Sequence, residues 1–405
     1  VGGIAKRLLP LTAEISKACI RIVNRPLIEI SLLNLAKQGV RNFIFGVKGY
    51  TNYKSLYDYF KSGIGFSASY NIKPRVHIKY QPNVEDSGSA DSVRINVEYY
   101  DIKDPVFALQ GDNIFDIDLE NILAFHQRKG AFMTIGLMPV NDVTGYGIAD
   151  VDKDMRISRF VEKPTANDAP SILANTGLYL ISPEISEVFE ENQVLEMRRK
   201  RLDFGYDLIP YIVRTGRPIY GYVLKGAWYD VGTPKRYLET MEDILRGHLK
   251  SLKDFGGRIS EDSTIWIQGK SIESIRRRKK MIRKIKEGRI ELEGSVLIGR
   301  HCEISDGTRI VDSCIDNYTR IGKNVTVEKS ALMDRTIIGE SAEIRDSIIG
   351  RHSTIESNPA DPTKIFQNSV IADDVTIDAG CQLTTAKIYP HRHIPKQELF
   401  KKIIY

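Results

Sequence analysis

The sequence predicts an α/β domain with a mixed, mainly parallel sheet, followed by a β-solenoid. Two patterns carry this prediction. Early in the chain, short apolar runs of strand length alternate with helix-periodic segments, the pattern of a sheet covered by helices. From residue 292 onward, large aliphatics recur at steps of about six residues, a period that neither an α-helix nor an antiparallel strand produces. With 405 residues the chain is too long for one ordinary domain. The change of period divides it into residues 1–246 and 247–405.

Composition narrows the class. Hydrophobic residues make up 42% and charged residues 27%, with a net charge of +6, as in a soluble globular protein. No stretch of 18 apolar residues occurs, so no membrane span is expected. No signal peptide is visible, and the chain opens inside what reads as a buried strand. Cys19, Cys302, Cys314 and Cys381 have no zinc-type spacing and read as free thiols of a reducing cytoplasm.

In order, the first stretch is VGGIAKRLLPLTAEISK. Gly2 and Gly3 allow close backbone approach to a bound group. Arg7 and Lys17 add a planar fork and a flexible point charge, a combination suited to phosphates. The glycine spacing is neither a P-loop nor a dinucleotide fingerprint. Asn24 and Pro26 open a helical pattern through Leu27, Leu32 and Ala36 that stops at Gly39. Phe43 to Val47 reads as a buried strand, and Thr51 to Phe60 as a helix ending at Gly63. Val106 to Leu109 reads as another buried strand, ending in Gly111, Asp112 and Asn113. In open α/β sheets ligands sit beyond the carboxyl ends of the strands, so Asp112 points to a ligand crevice.

These segments resemble the sugar-1-phosphate nucleotidylyltransferases, the NDP-sugar pyrophosphorylases, whose signature loop reads GGxGTRLxPLT followed by Pro-Lys. Here Ala5, Lys6 and Ser16 replace the third glycine, the threonine and that proline. Five further motifs follow in the family's order: Gln81 with Gly88-Ser89-Ala90; Gly111-Asp112; Tyr146-Gly147 with Glu162-Lys163-Pro164; Asn175-Thr176-Gly177; and Trp228-Tyr229-Asp230-Val231-Gly232-Thr233-Pro234. Two extra residues separate Gln81 from Gly88, and Asp86 with Ser87 suits a plain surface loop equally well.

The resemblance implies a Rossmann-like nucleotidyltransferase domain and a set of roles. Gly2, Gly3, Gln81, Gly88 and Asp112 would bind the nucleotide; Gly147, Glu162, Lys163 and Asn175 the sugar; Asp112 and Asp230 Mg²⁺. Arg7, Lys17 and Lys163 would act on the phosphates. It implies NTP and sugar 1-phosphate as substrates, either mannose 1-phosphate with GTP or glucose 1-phosphate with dTTP or UTP. A sugar-phosphate oxygen would attack the α-phosphorus in line. No general base is needed, since that oxygen is already anionic.

In the second half, Ile298, Ile315, Leu332 and Ile349 fall 17 residues apart, as do Ile304, Ile321, Ile338 and Ile355. After a break over Asn358 to Pro362 the pattern resumes at Ile371, Ile377 and Leu383. It resembles the hexapeptide left-handed β-helix, which implies a homo-oligomer. Residues 271–286 form a basic helical insertion including RRRKK, expected to be anchored by Ile272, Ile275, Ile282 and Ile285. Without aromatic stacking residues this run reads as a solvated face, with neither nucleic acid nor membrane as partner. His301 and His352, three 17-residue turns apart, should share one face. That leaves an acetyltransferase activity in the β-helix as an alternative, alongside an inactive regulatory homologue.

Overall fold

A computed structural model describes the chain apart from residues 3–4, 83–86 and 262. By contact it divides into two compact units: Val1–Gly3 with Ser31–Trp228, and Ile4–Ile30 with Tyr229–Tyr405.

In chain order the elements that matter are α1 (Leu27–Lys37), β1 (Asn42–Val47), α2 (Tyr50–Phe60), β2 (His77–Pro82), α3 (Ser89–Tyr99), β3 (Val106–Leu109) and α4 (Leu119–Lys129). Then come β4 (Met133–Pro139), β5 (Gly147–Val151), β6 (Ile157–Glu162), β7 (Leu173–Ile181) and β8 (Ile219–Val223). In the first unit β1 and β2 pair in parallel. A second, six-stranded sheet runs β8-β4-β7-β5-β6, with β3 also on β7. Here β8–β4 is parallel, whereas β7 runs antiparallel to β3, β4 and β5, and β5 to β6. The six-stranded sheet is mixed as expected, with its parallel pair among the described residues at β8–β4, and β1–β2 forms a separate parallel pair. A fully buried strand reads as an apolar run whichever way it points, so the pattern could not fix direction. Ile135, Leu137, Tyr179, Ile181, Leu208 and Ile212 build the core against this sheet.

The second unit holds α5 (Pro234–Leu245), α6 (Ile272–Lys286) and a β-helix. Among the described residues the β-helix has three sheets of eight, seven and six short parallel strands. The predicted columns are register partners: Ile298, Ile315, Leu332 and Ile349 in one sheet, Ile304, Ile321, Ile338 and Ile355 in another. All eight are buried in one continuous core. Burying such a side chain contributes about 1.5–3 kcal/mol, which is how strands of two to four residues become stable.

Between the strands the chain turns through left-handed residues at fixed places. One corner carries His301, Tyr318, Arg335, His352, Asp374 and His391, with φ between 56° and 60°. His301 and His352 thus share a corner, as the spacing implied. His301 stacks on Tyr318 at 5.0 Å, and His352 lies 3.4 Å from Asp374. A second recurrence is a ladder of buried serines: the amides of Ser330 and Ser347 donate to the hydroxyls of Ser313 and Ser330, each at 3.1 Å. These satisfy backbone donors the short strands leave over.

The basic insertion is helical, capped by Ser271, whose hydroxyl accepts from the Ser274 amide. Its anchoring differs from the expectation. Ser274 and Met281 are the buried residues, Ile282 and Ile285 pack partly on the core, and Ile272 is 74% exposed. Ile272 sits in the first turn, off the stripe that Met281 and Ile285 define. No described helix is long and apolar enough to cross a membrane.

Candidate active site

In the first unit a cradle forms where β7 bulges. Gly177 sits in the bulge with φ 77°. Its carbonyl accepts the Gln110 amide at 2.9 Å, and a Cβ there would lie 2.6 Å from the Gln110 side chain. Only glycine suits that conformation and approach. Two residues after Gln110 comes Asp112, partly buried at the carboxyl end of β3. Asn175 turns back on the same bulge: its Oδ1 accepts the Gly177 amide at 2.9 Å, and its Nδ2 donates to the Tyr179 hydroxyl at 2.9 Å.

Glu162 ends β6 in register with Gly147 on β5. A Cβ on Gly147 would lie 2.5 Å from a Glu162 carboxylate oxygen, and one on Gly205 only 2.1 Å. Burial pushes the Glu162 carboxyl above the usual range, opposed by Lys163 and reinforced by Asp203. Lys163 follows in a left-handed conformation (φ 49°), its amide donating to the Tyr146 carbonyl, its Nζ 3.8 Å from Glu162. The turn opposite was not foreseen. Asp203 accepts from the Ser89 amide at 3.0 Å and its hydroxyl at 3.1 Å, while Tyr206 lies under Lys163 and Arg201. This turn joins Gly88 to the Glu162 side, since a Cβ on Gly88 would lie 2.7 Å from the Leu202 carbonyl. Tyr146 packs edge-on against Trp228 at 5.3 Å, and the Trp228 indole nitrogen is buried without a hydrogen-bond partner among the described residues.

Gln81 stays apart. It pairs with Gly46 between β2 and β1, and among the described residues it makes no hydrogen bond to the Gly88 segment or to Glu162. The Ser87 amide and hydroxyl both donate to Asp91 Oδ2 on α3, each at 3.0 Å. Asp86 and Gly3 lie outside the described residues. Gly2 runs against Lys48, whose Cβ would be 2.7 Å from a Cβ at Gly2.

In the second unit Arg7, Lys17 and Asp230 come together. Arg7 lies in the short helix Lys6–Leu8 and Lys17 opens the next, Lys17–Cys19. Lys17 Nζ stands 3.7 Å from Asp230 Oδ1, with both side chains largely shielded. A methyl placed on Gly232 would lie 3.2 Å from Arg7 Nη2 and 3.4 Å from both Asp230 oxygens. Arg236 completes the group, its Nη1 donating to Asp230 Oδ2 at 2.9 Å. It is placed by the α5 cap, where the Thr233 hydroxyl accepts the Arg236 amide at 3.2 Å. The signal for it was in the sequence, because Thr-Pro opens a helix and sets the third residue after the cap. Lysine and arginine side chains gathered in this way are the groups that bind phosphates.

The sequence profile described as nucleotidyl transferase matches residues 1–247, and that described as the GMPPB C-terminal domain matches residues 292–404. The chain belongs to the nucleotidyl transferase family. Among curated relatives, it is 27% identical over 398 residues to a mannose-1-phosphate guanyltransferase of Pichia angusta, covering 97% of this chain and 95% of that protein. It is 29% identical to a glucose-1-phosphate adenylyltransferase of Fervidobacterium nodosum (94% and 95% covered). It is 26% identical to a UTP–glucose-1-phosphate uridylyltransferase of Synechocystis sp. (88% and 88%). A crystal structure of UDP-glucose pyrophosphorylase complexed with UDP-glucose shares the fold, with a TM-score of 0.51 at 23% identity, over 60% of this chain and 96% of that one.

Proposed function

We propose that this protein joins a nucleoside triphosphate to a sugar 1-phosphate, releasing pyrophosphate and an NDP-sugar. The observation that carries the reading is the grouping of Arg7, Lys17 and Arg236 about Asp230. The sugar-phosphate oxygen forms a bond to the α-phosphorus as the bond from that phosphorus to the pyrophosphate oxygen breaks. Lys17 steadies the α-phosphate and Arg7 the departing pyrophosphate, charge stabilisation that grows toward the transition state. Lys163 holds the attacking phosphate, Glu162 accepts sugar hydroxyls, and Asn175 and Gly147 contact the sugar. Gly2 and Gly88 let the backbone come close to the nucleotide, with Gln81 toward the base.

Nucleotidyl transferases of this family generally work with a divalent metal ion, and Mg²⁺ is our reading. Among the described residues no cluster of three or more His, Cys, Asp or Glu forms a metal cage. Mg²⁺ held through one or two carboxylates, waters and substrate phosphates needs none. Asp112 and Asp230 are the carboxylates that would hold it; bound, it would neutralise charge on the triphosphate.

The sugar and base are the finer question. Relatives of similar identity carry guanylyl, adenylyl and uridylyl names, and our reading keeps mannose 1-phosphate with GTP and glucose 1-phosphate with dTTP or UTP as the leading pairs. The reading also has a cytoplasmic enzyme that assembles into a homo-oligomer through the β-helix. The test is pyrophosphate release with Mg²⁺ over four NTPs crossed with glucose, mannose and N-acetylglucosamine 1-phosphates. One winning pair, lost in Asp112→Ala, is expected; silence across the panel in a folded protein overturns the reading.

A further inference from the structure

We propose that Asp316, a β-helix residue, positions the phosphate-binding segment by holding Arg21. One residue of the solenoid breaks its pattern. The residue that follows each aliphatic of the Ile298 column is Gly299, Asp316, Met333, Gly350, Ala372 and Tyr389 in successive coils. Asp316 alone in that row carries a carboxylate, and it is buried, its side chain 3% exposed. A buried carboxylate is costly unless paired and hydrogen-bonded.

Its partner is Arg21, four residues beyond Lys17. The guanidinium meets the carboxylate through two nitrogens, Nε to Oδ2 and Nη2 to Oδ1, the latter at 3.0 Å. A fork of this kind fixes orientation as well as charge. The Asn317 amide and side chain also donate to Asp316 Oδ1, each at 2.7 Å. The two residues before Asp316 grip the same segment. Asn24, held left-handed at φ 64°, donates to the Ile315 carbonyl at 3.3 Å and accepts from the Cys314 thiol at 3.0 Å.

Arg21 is also where the two carriers of the phosphate site meet. Its carbonyl accepts the hydroxyl of Tyr237, a buried residue of α5. The neighbouring residue on that helix is Arg236, which binds Asp230, which in turn faces Lys17. Hydrogen bonds and ion pairs thus close a ring from Lys17 along the chain to Arg21, across to α5, and back through Asp230. Asp316 pins that ring to the β-helix. Asp316 and Arg21 touch no reacting atom in this arrangement; they act through Lys17 and Arg236. A displacement of about 1 Å at such a site costs on the order of a hundredfold in rate.

The test compares full-length wild type with Asp316→Asn, which keeps shape and removes charge, and with Glu293→Gln, which breaks an exposed ion pair to Arg309 elsewhere on the solenoid. The kinetic arm rests on the activity proposed above. There, Asp316→Asn should lower kcat about tenfold to a hundredfold and raise KM for the NTP, leaving KM for the sugar phosphate within twofold. Glu293→Gln should change neither. An arm independent of activity is amide hydrogen exchange: the Cys19, Ile20 and Leu27 amides, bonded to Ser16, Lys17 and Ile20 carbonyls, should exchange faster in Asp316→Asn only. If wild type turns over no pair, the activity reading fails and exchange alone decides the clamp. Unchanged exchange, or kinetics matching Glu293→Gln, overturns it. Should Asp316→Asn not fold, Asn24→Ala carries the same two arms.

Discussion

The cradle of the first unit and the cation group of the second solve different problems with different forces. Around Glu162 the controlling feature is space. A methyl at Gly147 or Gly205 would press on the Glu162 carboxylate and displace it, and burial holds that carboxyl toward its protonated form. Around Asp230 the controlling feature is charge, with Lys17 and Arg236 on its two oxygens and Arg7 beside it. On the proposed reading, the cradle would select a shape and the cation group a charge. Changes to the two should therefore fail in different ways.

The largest effect should follow loss of a cation from the Asp230 group. Lys17→Ala should cost about 10²–10³ in kcat, the usual worth of one preorganised electrostatic donor, measured as pyrophosphate release at saturating substrates. A loss confined to KM would break the comparison by making the group a mere binding site. Next, Ile338→Ala removes a side chain 2% exposed in a central column. It should destabilise by about 2–5 kcal/mol, read from thermal melting, while kcat at a temperature where the protein stays folded is unchanged.

Two pH effects are smaller and differ in kind. Because burial raises the Glu162 carboxyl, falling pH should protonate it sooner than an ordinary glutamate. KM for the sugar phosphate should then climb on the acid side, and Glu162→Gln should lack that limb. His126 is a scaffold group, its ring nitrogens on Thr134 at 2.8 Å and Ser182 at 3.0 Å, and burial lowers its pKa. The folded state prefers it neutral, so the unfolded chain binds its proton first as pH falls. Its contribution is present above the ordinary histidine pKa of about 6.5 and fades below it. Melting temperature should drop between pH 7.5 and 5.5, and drop less in His126→Gln.

Much of this was legible in the sequence, for reasons that differ by region. The solenoid was readable because each short strand buries one aliphatic at a fixed step, so a single period encodes the whole core. Its serine ladder was not, since Ser313, Ser330 and Ser347 look like turn residues until neighbouring coils stack. The helix Tyr50–Phe60 and the strand Val106–Leu109 followed from local pattern alone. Strand direction in the sheet did not, because it depends on the path between strands. At the site, motif residues such as Glu162 and Asp230 were named by resemblance. Asp203, Gly205, Tyr206, Arg236 and Asp316 were missed because their importance is one of proximity. Gly205 lies 43 residues from the Glu162 it accommodates.

The measurement that bears most directly on the division between shape and charge is a crossed determination of two KM values in two variants, Gly205→Ala and Arg236→Ala. Gly205→Ala should raise KM for the sugar 1-phosphate roughly tenfold or more, given what one misplaced group costs, and leave KM for the NTP near wild type. Arg236→Ala should do the reverse. If both variants raise both constants in equal proportion, the two regions act as one undivided pocket and the account is wrong.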